Sequence, residues 1–217
     1  MRLLKDIYRH YNILPLLQDH QIRVAAVGKY ICEHLSVPVD PDRVILACLF
    51  HDMGNIIKFD LTMFPESYRH EGVPYWSRIK DEFILKYGAD ENLAHILIAK
   101  EIGLDNDVIS IIEHFGFSKL DEVNNSKVLE YKIASYSDCR VTPTAVVSIR
   151  GRLDEGRIRY AHKIRYNDTV YREKIFSSLT QLEISIFSLA SVKPEEITDN
   201  VIERDIEILR NFSLPDL

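Results

Sequence analysis

Apolar residues recur at helical spacing along most of the chain, and the longest unbroken block is Val44-Ile45-Leu46-Ala47-Cys48-Leu49-Phe50. A stretch that is apolar on every side reads as a helix buried all round. Asp40 and Pro41, just ahead of it, supply an N-cap and a first-turn proline. The block runs into His51-Asp52-Met53-Gly54, so an imidazole and a carboxylate fall at a buried helix end. An ionised carboxylate left unpaired there is strongly destabilising, and a metal ion is the simplest cation that offsets the cost.

The same periodicity predicts further helices around His20, around His95 in Leu93–Ala99, up to His114 in Val108–Phe115, and over Tyr131–Ser137 ahead of Asp138. Tyr75–Tyr87 reads as a helix stopped by Gly88, and Leu104-Asp105-Asn106-Asp107 as the cap of the His114 helix. Thr142-Pro143 predicts a cap launching a helix from Ala145 to Leu153, although Ala145–Ile149 also carries a weaker strand signal. A long helix is expected from Asp168 or Thr169 to about Ser191. A last one starts at Pro194-Glu195-Glu196, with Ile197, Val201, Ile202, Ile206 and Leu209 as its stripe. Strand signals are scarce and no internal repeat or low-complexity tract is visible. The fold class expected is all-α.

The chemistry-bearing residues come in the order His20, His51-Asp52, His95, His114, Asp138. With the His20-x-x-Arg23-Val24-Ala25 opening and the Phe50-His51-Asp52-Met53-Gly54 core, the chain resembles the HD-domain metalloprotein superfamily over roughly residues 18 to 140. The resemblance implies an HD-domain helical bundle over 1–164. Residues 165–217 are read as a C-terminal helical pair packed against it within one compact unit. It also implies that His20, His51, Asp52 and Asp138 hold one metal, and that Asp52 bridges to a second ion held by His95 and His114. Imidazole and carboxylate donors suit iron or manganese, with zinc, nickel or cobalt as other choices, so the cofactors expected are two divalent transition-metal ions.

Composition narrows the setting. The chain has 217 residues, 46% hydrophobic and 28% charged, enough for one domain with a proper core. Its three cysteines form no C-x-x-C pair and fit a reducing compartment, the N-terminal stretch is too charged for a signal peptide, and no apolar run spans a bilayer; the location expected is cytoplasmic. A net charge of −6 argues against an extended nucleic-acid surface and leaves room for small phosphorylated ligands. The basic exception runs from Arg140 to Arg172 and includes Arg150, Arg152, Arg157, Arg159, Lys163 and Arg165. It reads as a solvated face with ion pairs, or as one or two side chains at the mouth of a metal cleft binding phosphate.

Asn55 to Lys80 follows the metal pair directly and carries Lys58, Arg69, His70, Tyr75 and Trp76. Aromatic and cationic groups together suit a planar base and its phosphate, and a core role for Trp76 fits equally. His70 lies in a Gly- and Pro-containing loop, as ligand, substrate contact or exposed residue. His10, His34 and His162 read as surface residues. Many family members carry Lys where this chain has Asn55. Arg23, Lys58, Arg69, His70, Trp76 and Arg140 are the candidate substrate contacts, and Asp52, Lys58 and Arg140 the candidate catalytic groups. The function expected is a metal-dependent phosphohydrolase acting on a small, nucleotide-like phosphate ester or anhydride with metal-activated water. A mixed-valence di-iron oxygenase and a non-catalytic ligand sensor are the alternatives, and the C-terminal stripe leaves room for a homodimer interface.

Overall fold

Caps set the helices. The computed structural model describes residues 2–63 and 70–214, apart from the side chain of Arg165. It begins with a short strand, β1 (Arg2–Leu3), then α1 (Leu4–His10), α2 (Pro15–Glu33) and α3 (Pro41–Phe50). Asp40 caps α3 as the sequence predicts, accepting from the backbone N–H groups of Asp42 and Arg43 at 3.1 and 3.3 Å. Every residue from Val44 to Phe50 is buried. The remaining helices are α4 (Val73–Tyr87), α5 (Glu91–Ile102), α6 (Asn106–Glu113), α7 (Leu120–Asn125), α8 (Leu129–Asp138), α9 (Ile149–Arg159), α10 (Ile164–Asn167), α11 (Thr169–Phe187) and α12 (Asp199–Arg210). Among the described residues the architecture is all-α apart from β1 and β2 (Ser213–Leu214), which form an antiparallel pair.

The central layer is α2 packed on α3, with α8 against both, α6 on α3 and α12 on α2. Burying the apolar faces of three helices on one another brings His20 of α2, His51 at the end of α3 and Asp138 at the end of α8 to one place. Tyr8 of α1 holds the end of α3 by donating to the Leu49 carbonyl at 2.7 Å. Gly54 lets α5 approach the His-Asp turn: a Cβ there meets the Cβ of Ala94 at 2.6 Å and the backbone N of His95 at 3.2 Å.

Three local expectations change. Thr142-Pro143 does not cap a helix. Its hydroxyl accepts from the Ala145 N–H at 3.0 Å, Val141 bridges Val146, and the chain doubles back, so that the cap falls to Ser148 and α9 begins at Ile149. The long helix α11 stops at Phe187, because the chain beyond it returns to α2: Ser36 N donates to Leu189 O at 2.8 Å and Ser191 N to His34 O at 2.9 Å. Pro194–Glu196 forms only a 3₁₀ turn, and extended backbone at Ile197 and Thr198 separates it from α12.

Candidate metal centre

Hydrogen bonding behind the rings decides which nitrogen each histidine offers. His51 donates Nδ1–H to the Cys48 carbonyl at 2.8 Å, which leaves Nε2 as the lone-pair nitrogen. That atom lies 3.7 Å from Asp52 Oδ2 and 3.6 Å from Asp138 Oδ1. Both separations are too long for hydrogen bonds, and Nε2 is buried without a hydrogen-bond partner. His20 turns Nδ1 towards the Thr142 carbonyl at 3.4 Å and places Nε2 3.1 Å from Asp138 Oδ1 and 3.8 Å from Asp52 Oδ2. Ligand atoms of His20, His51 and Asp52 lie within 4.8 Å of one another.

Two imidazole nitrogens, that of His51 buried and without a hydrogen-bond partner, together with two carboxylates fit a divalent transition-metal ion, by the chemistry of the donors. Supporting groups fix the donors. Phe115 stacks on His51 at 4.4 Å, Asn55 donates to Asp52 Oδ2 at 2.7 Å, and the Asp52 N–H donates to Gln21 Oε1 at 3.1 Å. In the metal-free arrangement, burial works against a charged His51 ring. The Asp52 and Asp138 carboxylates outweigh it and push the ring up to about 9. Burial likewise opposes the charge on both carboxylates, yet His51 and His20 hold Asp52 below and Asp138 well below the usual carboxylate range.

His95 and His114 are arranged differently. His95 Nδ1 accepts the Gly54 N–H at 2.9 Å, which puts the proton of the neutral ring on Nε2. Burial, reinforced by Lys58 and His51, lowers this ring to about 4, against the pull of Asp52. His114 donates Nδ1–H to the Ser110 carbonyl at 2.6 Å, pairs through Nε2 with Glu122 at 3.2 Å and stacks on Tyr131 at 3.9 Å. Among the described residues, the converging ligand atoms come from His20, His51 and Asp52, and those of His95 and His114 do not join them.

A cavity of about 490 Å³ opens over His20, Asp52 and Asp138. Lys58 lines it and pairs with Glu91 at 3.3 Å. Of the basic stretch, Arg152, Arg159 and Lys163 reach the cavity. Arg140 does not. Its guanidinium is buried among the Tyr136 hydroxyl and the carbonyls of Val147, Pro194 and Ile197, so it ties α8 to the C-terminal segment instead of facing a substrate. Arg23 is likewise committed, to Asp199 at 3.1 Å, and the same carboxylate accepts the Val146 N–H at 3.0 Å. Trp76 is 4% exposed and packs edge-on against Tyr75 at 5.1 Å, within the core and away from the cavity. His70 is exposed and outside the cavity wall. Arg69 lies outside the described residues.

Sequence reasoning passed over Phe115, Phe117, Tyr160 and His162, all of which line the cavity. His162 is exposed, as expected of a surface residue, but it is also at the mouth. The only signal for Phe115 was its position beside His114. Nothing in the sequence pattern marked Tyr160, whose place depends on the turn at Thr142 that precedes α9.

Among the described residues, no helix is long and apolar enough to cross a membrane. No curated protein and no solved structure matches the chain. The family model for the HD domain matches residues 17–140, more than half of the chain, and its span runs from just before His20 to just after Asp138. With His20, His51, Asp52 and Asp138 brought together by packed helices inside that span, the chain belongs to the HD-domain family, a superfamily of metal-dependent phosphohydrolases.

Proposed function

We propose that this protein is a metal-dependent phosphohydrolase that cleaves a phosphate ester or anhydride of a nucleotide-like small molecule. The observation that carries the reading is the cavity itself. It joins the His20, His51, Asp52 and Asp138 group to a lining of cations and aromatic rings, among them Lys58, Arg152, Phe59, Phe115 and Tyr160. Its volume suits a small organic phosphate. The four residues would hold one divalent ion, iron or manganese by donor type, with zinc, nickel or cobalt as other choices. Such an ion supplies an acidified water for attack and polarises a phosphoryl oxygen.

The protein's own groups do the rest. Asp52, fixed through Asn55 and Gln21, orients the attacking water and takes up its proton. Lys58 sits within the field of Asp52 and Glu91 and offers its ammonium to negative charge that develops on the leaving side. Buried His51 keeps its Nε2 aimed at the centre through the Cys48 carbonyl. The aromatic lining gives a planar base a surface to stack on. A second ion, or the di-iron chemistry of an oxygenase, requires both His95 and His114 as ligands, and their present hydrogen bonds support the single-ion reading instead.

Phosphate release from nucleotides, dinucleoside polyphosphates and sugar phosphates tests this. It is run under nitrogen, with the iron- or manganese-loaded protein and Asp52→Ala as control. Asp52-dependent release is the expected result. Silence across the panel, with metal bound, refutes hydrolysis and leaves the sensor or oxygenase readings to be tested by oxygen uptake.

A further inference from the structure

Part of the cavity wall is built from α9 and the turn after it, outside the segment that the HD-domain model matches. Its charges are unevenly paired. Glu155 Oε2 accepts from Arg152 Nη1 at 3.0 Å, and the same carboxylate takes Arg159 through Nη2 at 2.9 Å and Nε at 2.8 Å. One carboxylate thus serves two guanidiniums. Arg159 and Lys163 also lie over the ring of Tyr160, at 4.8 and 5.0 Å from its centroid, which eases their mutual repulsion. Among the described side chains, three cations against one carboxylate leave two positive charges on this wall. Across the cavity, Lys58 is matched by Glu91, and Asp60 lies in the field of His162.

Arg152 and Arg159 are both largely enclosed, and Arg152 is the one tied electrostatically to the metal group. Its side chain is 14% exposed. Burial opposes its charge, and the Asp138 carboxylate is the strongest influence preserving it. Its Nε is buried without a hydrogen-bond partner although the side chain lines the cavity. A divalent ion bound by Asp52 and Asp138 cancels the charge of those carboxylates, and the excess on the wall then lacks a counter-charge. A phosphate dianion supplies it, with a planar guanidinium suited to two of its oxygens.

We propose that Arg152, held in place by Glu155, is the anchor for a doubly charged phosphoryl group bound beside the metal group, with Arg159 and Lys163 setting the surrounding potential. The proposal rests on the phosphohydrolase reading for the chemistry of the ligand, but its test does not require turnover. Inorganic phosphate is titrated calorimetrically into the metal-loaded protein, and metal content is measured for every variant. Arg152→Ala is expected to weaken phosphate binding by about tenfold or more, the loss of a charge-assisted contact, with metal content unchanged. Arg152→Lys, which keeps the charge without the fork, is expected to fall between that variant and the parent, and it decides the matter should Arg152→Ala fail to fold. Parent-like phosphate affinity in the variants overturns the proposal, as does a metal-loaded parent that binds no phosphate. Loss of metal from Arg152→Ala with unchanged phosphate affinity per metal overturns it too, because Arg152 then only braces Asp138. Phosphate binding without any turnover in the substrate panel refutes the hydrolase while leaving the anchor standing.

Discussion

His20 and His51 on one side, and His95 and His114 on the other, are two pairs of the same residue type on neighbouring buried helices, yet they are prepared for different tasks. The first pair turns Nδ1 towards main-chain carbonyls, of Thr142 and Cys48, and so presents Nε2 to two carboxylates. His95 instead accepts a main-chain N–H at Nδ1, and His114 has both ring nitrogens engaged by Ser110 and Glu122. His95 is set apart by the group behind its ring, because the Gly54 N–H on Nδ1 assigns the proton of the neutral ring to Nε2. His114 has a carbonyl behind Nδ1 as His51 does, and differs in that Glu122 occupies its Nε2 away from the two carboxylates.

Removing a donor from the first pair's group should break this contrast most severely. Asp52→Ala is expected to abolish turnover and sharply lower metal content, while the far-ultraviolet circular dichroism remains helical. Normal activity in that variant sinks both the assignment and the distinction between the pairs. The next effect in size is on metal affinity as a function of pH. The free His51 ring is raised to about 9, and it must lose its proton to become a ligand. Apparent affinity should therefore rise with pH, by up to about tenfold per unit, and level off above about pH 9. For the metal-free fold the sign is opposite. The charged ring contributes its stability fully below about 6.5, its ordinary value, and that contribution disappears as pH rises through about 9. A melting temperature of the metal-free protein that climbs over this window contradicts the assignment of charge to the centre.

The sequence made the His51-Asp52 pair legible because a long apolar run placed two polar groups where burial demands compensation. His20 and Asp138 were legible only through their order in a family pattern, since neither is distinctive alone. The state of His95 was out of reach. It depends on the N–H of Gly54, brought to the ring by an approach of α5 that no periodicity encodes. The choice among the arginines was hidden for a related reason. Arg140 is held away from the cavity by the carbonyls of Val147, Pro194 and Ile197, partners of which the last two lie far along the chain and that no local pattern encodes. Helix positions survive such errors because they follow from apolar periodicity over whole turns, whereas site geometry hangs on single hydrogen bonds.

Gly54 offers a sharper test of how the second pair is held. Gly54→Ala places a Cβ against Ala94 at a separation that α5 has to relieve by moving away, with an expected cost of about 1–3 kcal/mol. The movement lengthens the Gly54 N–H to His95 contact while the Cys48 carbonyl behind His51 stays in place. Chemical denaturation should report the destabilisation. Metal content should remain close to that of the parent. Loss of metal in a folded Gly54→Ala protein indicates instead that α5 and His95 belong to the metal group.

The smallest expected effect is the one that separates the pairs most directly. His114→Ala removes a ring at the end of α6 that is stacked on Tyr131 of α8 and paired with Glu122 of α7. Its stacking is worth about 0.5–1.5 kcal/mol, so thermal stability should fall modestly. Metal stoichiometry, measured by elemental analysis on protein loaded with iron or manganese, should stay at one ion per chain in both parent and variant. Two ions in the parent and one in the variant would mean that loading draws Nε2 of His114 away from Glu122 and onto a metal. The contrast between the two pairs would then describe the metal-free protein alone, with metal binding and the release of Glu122 coupled.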